Sequence, residues 1–169
     1  MKRLCIYVMT CFLLTSGYAQ KESVFVQDTL NHWLTYNIPG QTVIDSLGIP
    51  DLEGEIEYWE SDANYHQKWD YFSLGLTLWV VSDTIGSAST VESIFLTDNP
   101  SFVTTKGIHI GSPKEQVLDL YGVQKGKTPF GIIYRDPDLL IIGTIYEGIF
   151  IQVSDDKVSM ISTGVGYAE

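Results

Sequence analysis

The sequence predicts an α+β protein made of two tandem units, each a short helix packed on a four-stranded antiparallel sheet. Three observations predict this fold. The phrase IPGQTVIDSLG, ending at Gly48, returns as SPKEQVLDLYG, ending at Gly122, 74 positions later. Each phrase is followed by four β-branched and aromatic runs of strand length, separated by turn residues. A period of this size is too long for a solenoid repeat and suits a small duplicated α+β unit.

Residues 1–19 are expected to be removed. Lys2 and Arg3 precede the apolar run LCIYVMTCFLL and the small-residue exit TSGYA. That is the layout of a secretory signal peptide, with Gly17 and Ala19 before a cut at Gln20. The apolar run is shorter than the ~20 residues of a spanning helix. No Cys follows the cut to carry a lipid. The expectation is therefore an exported protein, periplasmic or extracellular, without a stable membrane anchor. Cys5 and Cys11 both lie in the removed part, so the mature chain has no thiol for a disulfide, a zinc site or a nucleophile. A core must hold it, and a chain of this size buries roughly 68–70 % of its unfolded surface. The full chain carries 10 basic and 21 acidic residues; without Lys2 and Arg3 the balance is 8 to 21, or −13. Such a field repels nucleic acid and anionic lipid and favours solubility or a basic partner.

Residues 20–36 form an N-terminal segment whose VFVQDTLNHWL fits a helix or an edge strand equally. The first α+β unit spans 37–97. Its helical phrase starts weakly, with Ile38 and Gly40 in the opening turn. The strand runs EIEYWE, YHQKWDYF, LTLWVVS and VESIFLT follow, separated by SDAN, SLG and DTIGSAS. TDNPS, residues 97–101, reads as the linker. The second unit spans 98–169, and its helix has full punctuation. Ser112 is placed to cap the N-terminus, Pro113 suits the first turn, Glu115 completes a capping box, and Gly122 supplies a left-handed stop. Val117, Leu118 and Tyr121 form one apolar stripe for docking on a sheet. FGIIYR, LLIIGTIY, IFIQVS and KVSMIST then give the strands. Gly75 aligns with Gly148, Val91 with Val158 and Ile94 with Ile161.

With the stretch TKGIHIGSPKEQVLDLYG and its following strands on the page, residues 37–163 resemble the β-lactamase inhibitor protein-like superfamily. That superfamily also takes in the outer-membrane assembly lipoprotein BamE. The resemblance implies a tandem duplication of a helix-plus-sheet module and a non-catalytic grip on a protein partner. It departs in two respects: the inhibitors carry a disulfide in each half, and BamE-type members carry a lipidated Cys, both absent from the mature chain. No binding residue transfers by position.

Residues offering catalysis are sparse. His32, His66 and His109 lie on three separate segments and are expected at exposed strand or loop positions, with no nucleophile, metalloprotease or phosphate-loop motif around them. The acidic stretch DLEGEIEYWE has neither the loop geometry of a calcium site nor the facing carboxyls of a glycosidase. As a strand it places Glu55 and Glu57 together, where charge discourages edge-to-edge pairing. An acidic hydrolase built on Glu55, Glu57 and His66 is the weakest reading. The chain is expected not to be an enzyme, and the sequence points to no catalytic residue, cofactor or metal.

The aromatics are more informative. Strand alternation puts Ile56 and Tyr58 on one face and Glu55, Glu57 and Trp59 on the other. Leu76, Leu78 and Val80 point together, under the helix, while Thr77 and Trp79 point away. Phe150 and Gln152 take the corresponding place in the second half. Indoles rimmed by carboxylates on an open sheet face suit a protein-binding hot spot. The function expected is a monomeric, exported module that binds or inhibits another protein with a basic surface. Trp59, Trp79 and Phe150 would be its anchors, and Glu55 and Glu57 its selective rim. The alternative is an envelope assembly or scaffold protein of the BamE-like type.

Overall fold

The computed structural model describes residues 28–121, 138–143 and 147–165. The expected signal peptide, Gly122 and the run FGIIYR lie outside them. In chain order the elements are α1 (Gly40–Leu47), β1 (Leu52–Trp59), β2 (Asn64–Tyr71), β3 (Leu76–Ser82), β4 (Thr90–Leu96), α2 (Lys114–Tyr121), β5 (Leu139–Gly143), β6 (Glu147–Ser154) and β7 (Lys157–Val165). A short 3₁₀ turn, Phe72–Leu74, joins β2 to β3.

The expected pair of separate helix-on-four-strand units is not what forms. The strands make one seven-stranded antiparallel sheet in the order β1-β2-β3-β4-β7-β6-β5. β4 hydrogen-bonds β7 through Ser93↔Gly164, Ile94↔Thr163, Phe95↔Ser162 and Leu96↔Ile161. This seam fuses the two halves. A separate unit would leave the β4 edge as a row of unpaired backbone groups, and β7 satisfies it. The seam also forces close contact. Gly164 has φ +121, and a Cβ there would lie 2.2 Å from the Glu92 carbonyl oxygen.

Alternation decides the core. Leu76, Leu78 and Val80 of β3, Val91, Ile94 and Leu96 of β4, and Ile149, Ile151 and Ile161 beyond the seam are each at most 2 % exposed. Removing each such side chain from water stabilises the fold by roughly 1.5–3 kcal/mol. Each helix has only eight residues, too few to persist alone. Docking holds them: Val43 of α1 and Val117 of α2 are fully buried in this one core. The anticipated capping box is replaced by backbone pairing. Ser112 Oγ accepts from the His109 N–H instead (3.0 Å), and the N–H groups of Gly40 and Lys114 donate to Ser89 and Asp156 carbonyls at 2.8 and 2.9 Å. The surrounding bonds recur: Val91 N–H reaches Ile38 O at 2.8 Å, and Val158 N–H reaches Ser112 O at 2.9 Å. The same backbone frame thus seats both helices, each against the last strand of its half.

The N-terminal segment is neither helix nor sheet strand over its described part. Residues 30–34 form a turn whose Leu30 bridges Thr104. Leu30 and Leu34 both enter the core. Among the described residues, no helix is long and apolar enough to cross a membrane.

Candidate protein-binding face

The β1–β2 hairpin places Glu57 opposite His66, Tyr58 opposite Tyr65 and Trp59 opposite Asn64. β2 then sets His66 against Val81 and Lys68 against Trp79. Trp59, His66 and Trp79 therefore share the sheet face turned away from the helices. The Trp59 ring stacks on the His66 imidazole, with centroids 3.8 Å apart and planes 14° from parallel. Trp79 leans against Trp59 at 5.4 Å and 51°. Both indoles remain partly exposed. Trp59 also donates its Nε1–H to Glu57 Oε2 at 3.2 Å, tying the indole to the rim.

His66 is the centre of this arrangement. Far from the exposed position expected of it, it has no exposed surface. The reason is its register in the second strand, which brings the Trp59 indole over its ring face and Glu92 to its Nδ1 edge. Glu92 occupies the bulge where the β3–β4 register shifts after Trp79. Glu92 Oε2 lies 3.0 Å from His66 Nδ1, and Asp62 Oδ2 lies 2.9 Å from Nε2. The two carboxylates thus flank the ring at both of its nitrogens. Burial opposes ionisation of Asp62, but hydrogen bonds from Asn64 and His66 outweigh it and hold its carboxyl below the ordinary 3.8. One ligand atom from each of Asp62, His66 and Glu92 lies within 4.8 Å of the others, which invites comparison with a cation site. The two carboxylates already bond different ring nitrogens, so the arrangement is a hydrogen-bonded triad that fixes an aromatic ring.

Replacing His66 with alanine should cost about 2–4 kcal/mol, since it removes the donor to Glu92 and one of the donors to Asp62 and opens a void beneath Trp59. Urea unfolding measures that loss, and a red-shifted tryptophan emission in the folded baseline reports the freed indole. An unchanged emission would mean that Trp59 holds its place without the histidine.

The remaining predicted residues are distributed as follows. Glu57 is exposed and paired with Trp59. Glu55 is exposed and stands where the β1–β2 register shifts between Glu53 and Ile56. Phe150 lies on the same face but three strands away, opposite Ser162, and is only 3 % exposed. It is thus not brought to the indoles. His32 is exposed, and His109 bonds the Ile110 carbonyl at 2.8 Å. Sequence reasoning missed Glu92 and Asp62. The one available signal was the spacing of Asp62 four residues before His66 across a turn; Glu92 gave none, because a bulge cannot be read from alternation.

A second polar cluster ties the start of the described chain to Thr105 and to Tyr121 at the end of α2. Asp28, 4 % exposed, accepts from the Thr105 N–H at 2.8 Å, from the Thr105 hydroxyl and from the Tyr121 hydroxyl. Burial, then the bond to Asp28 and its negative charge, push the Tyr121 phenol well above its ordinary 10.0. The crevice beside it, lined by Asp28, Leu30, Thr104, Ile149, Ile161 and Thr163, is too narrow for a water molecule. This cluster is structural. Compared with known proteins, the chain matches no family model, no curated protein and no solved structure.

Proposed function

We propose that this chain is an exported, non-enzymatic protein-binding module that takes a basic partner on the open face of β1–β3. The observation that carries the reading is the fixed pair of partly exposed indoles, Trp59 on its buried His66 support and Trp79 beside it. Ordering an anchor before binding removes a cost that association would otherwise incur. Exposed Glu55 and Glu57 and the acidic balance of the chain supply selection for a basic surface. Restraint of a secreted or periplasmic hydrolase is the use that the inhibitor-like resemblance of the sequence suggests, by analogy alone.

The test compares mature wild type, residues 20–169, with Trp59→Ala/Trp79→Ala as cross-linking baits in source-cell medium and envelope. Each bait is first checked for folding by circular dichroism. The captured partner should bind the folded double variant at least tenfold more weakly, as expected for hot-spot aromatics. Equal affinity for both folded baits would show the face to be inert.

A further inference from the structure

β1 is the outer strand of the sheet; among the described residues its strand partner is β2 alone. Among the described residues no strand pairs its other edge, where alternate residues of the eight present their backbone donors and acceptors. A merely protected edge carries charge and little else. This one also exposes apolar side chains: Leu52 is 50 % exposed, Ile56 48 % and Tyr58 54 %, with Ile49 and Phe72 open beside them. Ile56 and Tyr58 point to the helix side of the sheet, but the helical layer stops short of β1. The same strand exposes Glu53, Glu55 and Glu57, flanked by Asp51 and Glu60. It carries no cation, and the nearest lysine along β2, Lys68, is engaged by Asp70 at 3.0 Å.

We infer that the free edge of β1 accepts an extended basic segment of a partner protein as an eighth strand. Charge selects the occupant. A second copy of this chain, pairing β1 with β1, would set glutamates against glutamates, which is destabilising across a strand pair. A segment with Lys or Arg at alternate positions instead places cations beside Glu55 and Glu57 and apolar residues beside Ile56 and Tyr58. Main-chain bonds supply affinity in such strand addition, and the alternating side chains supply selection. Glu57 belongs to the indole side, so the added strand runs along the margin of the Trp59–Trp79 face. The inference takes its basic partner from the reading proposed above, but the edge and the face are separable.

The experiment uses the mature chain and three ten-residue peptides: alternating Lys and Val, alternating Glu and Val, and the Lys peptide with every second Val replaced by Pro. Binding is followed by calorimetry, and the contact is mapped by amide hydrogen exchange. The Lys–Val peptide should bind at least tenfold more tightly than either control and slow exchange in β1. Glu55→Lys/Glu57→Lys, with both side chains exposed, should keep the thermal midpoint and reverse the preference to the Glu–Val peptide. Equal binding of the proline peptide would reduce the effect to charge alone and overturn strand addition. Perturbation of Trp59 and Trp79 without protection of β1 would likewise overturn it while leaving the face reading intact. Binding that protects β1 but is indifferent to Trp59→Ala/Trp79→Ala would support the edge and remove the face.

Discussion

Gly164→Ala is expected to lower stability by about 3 kcal/mol or more, the sum of a strained backbone and a steric conflict that cannot be relieved locally. The glycine sits at φ +121, where L residues are rarely found, and its new Cβ would meet the Glu92 carbonyl oxygen at 2.2 Å and Ser93 Cα at 2.7 Å. Those atoms are backbone in the neighbouring strand, so accommodation means spreading the β4–β7 seam. Gly107→Ala is the control. Gly107 also has a positive φ, +80, but nothing lies within 4 Å of the added carbon. It should cost only the 1–2 kcal/mol of the left-handed conformation. Urea denaturation of the three proteins gives the comparison, and equal losses for the two variants would refute the role assigned to seam contact.

Asp28→Ala should cost about 3 kcal/mol, because the Thr105 N–H and hydroxyl and the Tyr121 hydroxyl converge on one buried carboxylate, and only the last keeps a second acceptor, Thr104 Oγ1. Those donors come from Thr105 and Tyr121, more than seventy positions along the chain, so the loss removes part of what ties the start of the described chain to the second half, alongside the Leu30–Thr104 bridge. Tyr121→Phe removes one donor and should cost about 1.5–3 kcal/mol, the worth of a bond to a charged group. The pH dependence has a definite sign. The folded phenol titrates above its ordinary 10.0, so its contribution is intact below pH 10 and is lost as pH rises beyond it. Wild type should therefore lose stability between pH 10 and 11 more steeply than Tyr121→Phe, and superimposable profiles would exclude Tyr121 as the cause.

The sequence made the local structure legible and left the long-range pairing hidden. Both eight-residue helices fall where the repeated phrase places them, and Leu76, Leu78 and Val80 turn inward as alternation requires. These are properties of neighbouring residues, set by period and turn chemistry. The joining of β4 to β7 is not, because any two antiparallel edges of suitable length satisfy the same pattern. His66 illustrates the limit at the candidate site. An isolated histidine in NYHQKWD reads as exposed, whereas its burial depends on Trp59 in the paired strand β1 and on Glu92 two strands away in β4. Likewise, Phe150 follows the alternation that sets its face, yet alternation says nothing of its cover.

The seam also determines the order of events when the chain folds. β1 to β4 pair with their immediate chain neighbours, as do β5 to β7, so each meander closes short loops on the microsecond scale of hairpins. The seam joins residues 65 positions apart at Leu96↔Ile161 and 71 apart at Ser93↔Gly164. Closing a loop that long costs roughly 1.7 kcal/mol more entropy than closing a loop of about ten residues, by logarithmic scaling of closure with length. The seam therefore forms late, and until it does both β4 and β7 offer open edges to other chains. That interval makes association a concentration-dependent competitor of the last folding step.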